Sequence, residues 1–301
     1  MTPDPSAPSG TLRVALIQMR SARSPAANLD AARALVRQAV EAGARYVQTP
    51  ETTNIMELDR KVLFQTLAEE DKDPTLAGLR ELARELAITL HVGSLALKVS
   101  SQKAVNRALV IDPDGEITAR YDKIHMFDVD LGNGESYRES TAYRPGEQAV
   151  SVTVGPARIG LSICYDLRFP ALYRALAESG AQVLTVPSAF TRPTGEAHWH
   201  VLLRARAIEN GAFVLAAAQG GRHENGRDTY GHSLVVDPWG RVIAEGGSEP
   251  GIVVSEIDLA AVAAARARIP SLYNGRRFEA PERETAGRFT VVGGGAAGEA
   301  T

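Results

Sequence analysis

The sequence predicts an α/β protein, two pseudo-symmetric halves folded together as one α-β-β-α sandwich with the sheets face to face and the helices outside. Three features, met in the same order in each half, predict it. A strand-length apolar run recurs, residues 13–19 (RVALIQM) and 158–164 (RIGLSIC). The next strand ends on a proline in both halves, as Thr-Pro50-Glu51 and as Val-Pro187-Ser188. A strand–turn–strand built on Asp-Pro-x-Gly follows, at residues 110–117 and again at 235–242.

In order along the chain, residues 12–19 form the first strand. Residues 28–42 carry Leu29, Ala32, Leu35, Val36, Ala39 and Val40 on one helical stripe, which Gly43 ends. Residues 45–49 close the first β-α-β unit. Two helices are predicted at 60–71 and 75–88, then strands at 89–98 and 104–111, with Asp112-Pro-Asp-Gly115 turning into 116–121. Residues 122–148 show no clean period and predict a long functional loop. In the second half Pro170 opens a helix that Gly180 closes, a strand follows at 182–186, and a helical stretch begins at 197 and runs to 210. One domain over residues 12–280 is expected, with flexible tails at 1–11 and 291–301.

Composition excludes several classes. Against 36 acidic residues stand 33 Lys+Arg, a formal net charge of −3, so no basic face for nucleic acid is expected. No apolar run approaches the ~20 residues that cross a bilayer. The first residues lack the charged start and apolar stretch of a secretory signal. A single cysteine, Cys164, excludes an internal disulfide or a multi-cysteine zinc cage and fits a reducing cytoplasm.

Cys164 ends an apolar strand and precedes the helix opened by Pro170. That is where open α/β sheets present their ligands, and a nearby helix N-terminus favours the thiolate. The charges in Tyr-Asp-Leu-Arg-Phe-Pro170, directly after a buried strand, fit a turn that lines a cleft. Glu51 occupies the matching strand end of the first half and is a candidate general base. Lys123 lies between them in Tyr-Asp-Lys123-Ile-His-Met-Phe-Asp.

With Thr-Pro-Glu51, the Lys123 segment, Glu139-Ser and Gly-Leu-Ser-Ile-Cys164-Tyr-Asp-Leu-Arg-Phe-Pro, the chain resembles the carbon–nitrogen hydrolases of the nitrilase superfamily from about residue 12 to residue 280. The resemblance implies a catalytic Glu51–Lys123–Cys164 set, with Glu139 as the family's second glutamate. It also implies the α-β-β-α sandwich and association into homodimers or larger assemblies. In that chemistry Glu51 takes the thiol proton, delivers it to the leaving ammonia and later activates water. Lys123 and the Tyr165 N–H stabilise the oxyanion, and Glu139 orients Lys123. No cofactor or metal enters the scheme.

Three further segments, Ser188-Ala-Phe190-Thr191-Arg-Pro, Leu203-Arg-Ala-Arg-Ala-Ile-Glu-Asn210 and Gln219-Gly-Gly-Arg222-His223, resemble the amidase branches that act on deaminated glutathione and on 2-oxoglutaramate-type ω-amides. Both branches usually carry glutamate after Ala-His-Trp, where this chain has His200. A small carboxylated amide is the expected partner, with Tyr165, Phe190 and Thr191 near it. Arg168 is the expected carboxylate clamp, and Arg222 reaches a more distant carboxylate; structural ion pairs with Asp166 or Glu224 are the alternative for the two arginines. The pair His198-Trp-His200 resembles a metal pair, but side chains two apart on a helix diverge. A Cys–His dyad through His125, His223 or His232 and a catalytically inactive scaffold remain competing readings.

Overall fold

The computed structural model describes residues 10–132 and 135–281. Most of both expected tails lies outside these residues, but Thr11 already belongs to the first strand. The first half runs β1 (Thr11–Gln18), α1 (Pro25–Glu41), β2 (Tyr46–Gln48), α2 (Arg60–Thr66), α3 (Pro74–Leu86), β3 (Thr89–Lys98), β4 (Ala104–Ile111) and β5 (Ile117–Asp122). A small hairpin, β6 (Asp128–Gly132) and β7 (Glu135–Arg138), connects to the second half. There follow β8 (Ser151–Val154), β9 (Ala157–Gly160), α4 (Pro170–Glu178), β10 (Val183–Thr185), α5 (Arg192–Asn210) and β11 (Phe213–Ala216). After them come β12 (Gly220–Arg222), β13 (Asp228–Tyr230), β14 (Leu234–Val236), β15 (Val242–Glu245), β16 (Gly251–Asp258) and α6 (Ala260–Arg268).

The strands form two six-stranded sheets ordered β16-β1-β2-β3-β4-β5 and β15-β14-β11-β10-β9-β8. Three parallel strands lead each half, β1-β2-β3 and β9-β10-β11, and an antiparallel extension follows, β4-β5 or β14-β15. An antiparallel strand also flanks each leading strand, β16 on β1 and β8 on β9. The predicted pseudo-symmetry is therefore a correspondence of whole sheets.

Alternation along the strands builds the layers. In β1, Val14 and Leu16 enter the core shared with β9, β10, β11 and β14, whereas Ala15 and Ile17 face Ala32, Val36 and Ala39 of α1 and Leu79 and Leu82 of α3. Both faces are buried, which explains why β1 reads as a continuous apolar run. Each fully buried aliphatic side chain of this kind contributes about 1.5–3 kcal/mol. Leu172 and Leu176 of α4 and Trp199 and Leu203 of α5 cover the outer face of the second sheet.

Several boundaries differ from the sequence reading for local reasons. Helix α1 starts three residues earlier than predicted because Ser24 caps it and Pro25 occupies its first turn. The predicted 60–71 helix ends at Thr66 and resumes only as a 3₁₀ turn, Glu70–Lys72, before Asp73 caps α3. Helix α5 begins at Arg192, not 197, again with proline in its first turn. The expected 122–148 loop contains the β6–β7 hairpin and the 3₁₀ turn Glu139–Thr141. Its strands are largely solvent-exposed and bury no apolar face, so no period marks them.

Candidate active site

Corresponding sheet ends of the two halves converge on one cavity. Beyond β2 the chain turns at Pro50 and delivers Glu51, 4 % exposed. Thr52 adopts φ 54°, the left-handed region, and its N–H donates to Ser94 Oγ at 2.8 Å. Gly93 is required here, since a Cβ would stand 1.9 Å from the Thr49 carbonyl oxygen and 2.5 Å from Pro187 Cβ. Beyond β9, Cys164 has φ 48° and opens a 3₁₀ turn, Cys164–Arg168. Its N–H donates to the Pro187 carbonyl at 3.0 Å. This left-handed cysteine is strained backbone at a tight strand-to-helix turn, and it aims the side chain out of the sheet.

Lys123 follows β5 and is 2 % exposed. Its Nζ donates to Glu51 Oε1 at 2.9 Å and to Glu139 Oε1 and Oε2 at 3.0 and 2.9 Å. Asn106 on β4 ties the two carboxylates together, its Nδ2 reaching Glu51 Oε1 at 2.8 Å and Glu139 Oε1 at 3.3 Å. The Phe127 N–H donates to Glu139 Oε2, and the Ala189 N–H donates to Glu51 Oε2 at 2.9 Å. Cys164 opens on the same cavity as the Glu51 carboxylate, and its thiol helps to hold that carboxylate ionised.

These contacts decide the charge states. Burial would push the Glu51 carboxyl up, but Lys123, the Cys164 thiol and Arg227 together hold it below the usual carboxylate range. Burial opposes the Lys123 charge, yet Glu139, Glu51 and Cys164 keep it firmly protonated. The Cys164 thiol is pushed well up, first by burial and then by the Glu51 charge, with Lys123 only partly offsetting them. The resting site is thus thiol, carboxylate and ammonium. A helix N-terminus does not make the expected thiolate, because the residue enters a buried 3₁₀ turn beside an anion. The thiol must therefore lose its proton as the sulfur attacks, and the Glu51 carboxylate beside it is the candidate base.

The cavity has a volume of about 420 Å³ and is lined by Glu51, Lys123, Glu139 and Cys164 together with Tyr165, Arg168, Phe190 and Thr191. Arg168 lies over the Tyr165 and Phe190 rings at 6.0 and 5.4 Å. Arg222, expected to reach the substrate, is exposed on β12 and absent from the lining. The hairpin alternates faces, so Arg222 pairs in register with Asp228 on the outside while the neighbouring Arg227 enters the cavity. Arg227 donates to the Ala189 carbonyl and lies 5.3 Å from the Tyr137 ring centroid.

Comparison with known proteins decides the family. The carbon–nitrogen hydrolase family profile matches residues 13–267. The chain belongs to the carbon–nitrogen hydrolases. It is 40 % identical over 267 residues to a deaminated glutathione amidase of Yersinia enterocolitica, covering 87 % of this chain and 92 % of that protein. The C. elegans NitFhit protein superimposes with a TM-score of 0.83 at 38 % identity, over 89 % of this chain and 66 % of that one. An amidase from Nesterenkonia sp. AN1, solved as a glutamate-to-glutamine mutant with acrylamide added at its active-site cysteine, gives a TM-score of 0.73 at 30 % identity. That match covers 87 % of this chain and 99 % of that one.

Within this hydrolase the histidines stand apart from the cavity. His125 Nδ1 pairs with Asp166 Oδ1 at 2.7 Å, and Asp166 Oδ2 accepts from Tyr121 Oη and the Ile163 N–H, so Asp166 is occupied without Arg168. His223 bonds the Ser21 carbonyl and Thr229, and Glu224 accepts from the Arg23 N–H. His232 pairs with Glu245. None of the three lines the cavity, which removes the geometry of a Cys–His dyad. His198 turns toward Arg168 and His200 toward Glu245, so the two diverge as helix spacing requires. Among the described residues, His200, His232 and Glu245 form a cluster able to hold a metal. Asn106 and Arg227 were not singled out in the sequence. The one available signal for Asn106 is a polar residue within the apolar strand AVNRALVI.

Proposed function

We propose that this hydrolase cleaves the ω-amide bond of a small carboxylated amide of the deaminated-glutathione type through a thioester on Cys164 and releases the amine. That amine is the cysteinylglycine amine from deaminated glutathione and ammonia from a primary ω-amide. The observation that carries the reading is the Glu51 carboxylate held between Lys123 and the Cys164 thiol at the floor of an arginine-rimmed cavity. Glu51 takes the thiol proton as sulfur bonds to the carbonyl carbon. Lys123 and the Tyr165 N–H, an amide at the start of its turn, receive the oxyanion. The C–N bond then breaks, the Glu51 proton leaves with the departing amine, and the thioester remains. Water, deprotonated by Glu51, attacks the thioester; the acid departs and the thiol is restored. Glu139 and Asn106 hold Lys123 and Glu51 in register and take no proton.

Arg168 and Arg227 supply charge for the substrate carboxylates, and the Arg227 Nε is buried with no acceptor inside the protein. A cavity near 420 Å³ suits a substrate the size of a short peptide better than a five-carbon oxo acid. The single cysteine supports a cytoplasmic enzyme, one unit over residues 12–280 acting without a cofactor. No helix of the described residues is long and apolar enough to cross a membrane. Val201 and Ile208 on α5 and the nearby Trp239 are exposed and supply an apolar face for a homodimer.

Hydrolysis of deaminated glutathione, followed by release of the cysteinylglycine amine, and of 2-oxoglutaramate, glutamine and neutral amides of equal length, followed by release of ammonia or amine, tests the proposal. Carboxylated amides should exceed neutral ones by at least about tenfold in kcat/KM, and Arg227→Met should erase most of that advantage for the long substrate. A larger kcat/KM for 2-oxoglutaramate assigns the site to short ω-amides. No hydrolysis of any amide would leave an inactive scaffold.

A further inference from the structure

We propose that His200, His232 and Glu245 form a second, divalent-metal site of the two-histidine, one-carboxylate type, outside the amidase cavity, that takes Zn²⁺ or an ion of similar borderline softness. His200 Nε2 and His232 Nδ1 both approach the same oxygen, Glu245 Oε1, each at 2.8 Å. All three ligand atoms lie within 4.8 Å of one another. Tetrahedral zinc with arms of about 2.0–2.2 Å separates its ligand atoms by roughly 3.4 Å. The imidazoles therefore open from the carboxylate by about half an ångström, and the metal enters at the point on which all three converge.

The three ligands come from separate places: His200 from the middle of α5, His232 from the turn before β14 and Glu245 from the end of β15. The donor set, two imidazoles and one carboxylate, is that of open zinc sites with a coordination position left to water. A ring nitrogen that binds the metal must be free of its proton, so each imidazole coordinates with the proton on its other nitrogen.

His232 is preset for this role. It adopts φ 54°, a conformation that a residue with a Cβ holds only when its surroundings enforce it. Its N–H donates to the Gly247 carbonyl at 2.8 Å, and its carbonyl accepts from Trp199 Nε1 at 2.8 Å. The ring stacks on Tyr230 with centroids 4.3 Å apart and planes at 23°. Backbone and ring are thus both fixed with Nδ1 directed at Glu245, while each of the three side chains stays about one-third exposed and open to an entering ion. A bound ion would pin α5 to the β14–β15 hairpin. Since α5 also carries Thr194 of the cavity wall, and Trp199 packs on Phe190, the site would brace the amidase cavity from behind.

The test is Zn²⁺ titration calorimetry on the full chain after chelator treatment, with metal analysis of the desalted protein. One Zn²⁺ per chain with a dissociation constant below about 10 µM is expected, and a hundredfold excess over that constant should raise Tm by about 5–10 °C. His200→Gln and Glu245→Gln should each weaken binding at least about tenfold while leaving the metal-free Tm within about 2 °C. His232→Asn, which tolerates the left-handed backbone, should act likewise. Cys164→Ala, which removes the competing sulfur, should still bind one ion. No binding at this strength would overturn the proposal. So would binding lost in Cys164→Ala yet kept in His200→Gln and Glu245→Gln, which would place the metal at the amidase centre.

Discussion

The two halves end their second strand alike, and only one end places its side chain in the cavity. After β2 the turn Thr-Pro50-Glu51 delivers a carboxylate into the cavity. After β10 the turn Val-Pro187-Ser188 delivers a hydroxyl that folds back on the Val186 carbonyl at 3.0 Å and does not line the cavity. The second turn works through its backbone instead. The Pro187 carbonyl accepts from the Cys164 N–H, and the next residue, Ala189, donates its N–H to Glu51 Oε2. The first half and the connector after it thus supply Glu51, Asn106, Lys123 and Glu139. The second half supplies Cys164, the proposed nucleophile, and the backbone cradle that holds Glu51, the proposed base. Duplicated backbone provides shape, and divergence of a few side chains provides reactivity.

Paired substitutions can break this comparison. Cys164→Ala should lower kcat on the order of 10⁶-fold, as for removal of a nucleophile, whereas Ser188→Ala should change it less than about threefold. Steady-state ammonia release measures both, and equal losses would dissolve the distinction between the two turns. Glu51→Gln should cost about 10³–10⁴-fold and slow alkylation of Cys164, because the thiol loses the carboxylate proposed as its base.

Lys123→Met should lose about 10²–10³ in rate. It should also lower stability by about 3–5 kcal/mol in denaturant unfolding, since Glu51 and Glu139 would remain buried without their cation. Adding Glu139→Gln should restore part of the stability and none of the rate. An unchanged unfolding midpoint in Lys123→Met would show that the ion triad is not what holds the first-half side of the site.

The acid limb sharpens the same contrast. Glu51 is held below its ordinary value, so its stabilising contribution is present above the unfolded value near pH 4.3 and is lost as pH falls through the folded value. The kcat/KM profile should therefore stay flat down to about pH 5. A limb near neutrality would assign the base to another group.

A further contrast concerns His91 in β3, whose counterpart by register in β11 is Leu215. Burial pushes His91 down to about 3. Its unfolded value is about 6.5, so the unfolded chain binds the extra proton between those limits, and stability falls by about 1.4 kcal/mol per pH unit as pH drops. His91→Gln should flatten that slope in acid unfolding, and Leu215→Val should leave it intact.

The sequence by itself determined the layered fold and the pseudo-symmetric order of its parts, and it singled out Glu51 and Cys164 as candidates. These are written in contiguous residues: apolar period, proline at a strand end, a cysteine between a strand and a helix. Lys123 and Glu139 were marked by the resemblance of their segments to the carbon–nitrogen hydrolases. Tertiary structure alone decided what depends on parity and on distant partners. A two-residue shift along a short hairpin would exchange nothing, but alternation across its turn put Arg227 into the cavity and Arg222 in solvent. Asn106 gained its role only when β4 came between Glu51 and Glu139, 55 residues before it and 33 after it. The thiol is protonated at rest because burial beside Glu51 outweighs Lys123, a balance that no local pattern encodes. His200 met His232 and Glu245 for the same reason: helix, turn and strand had to pack before three side chains far apart in sequence could share one oxygen.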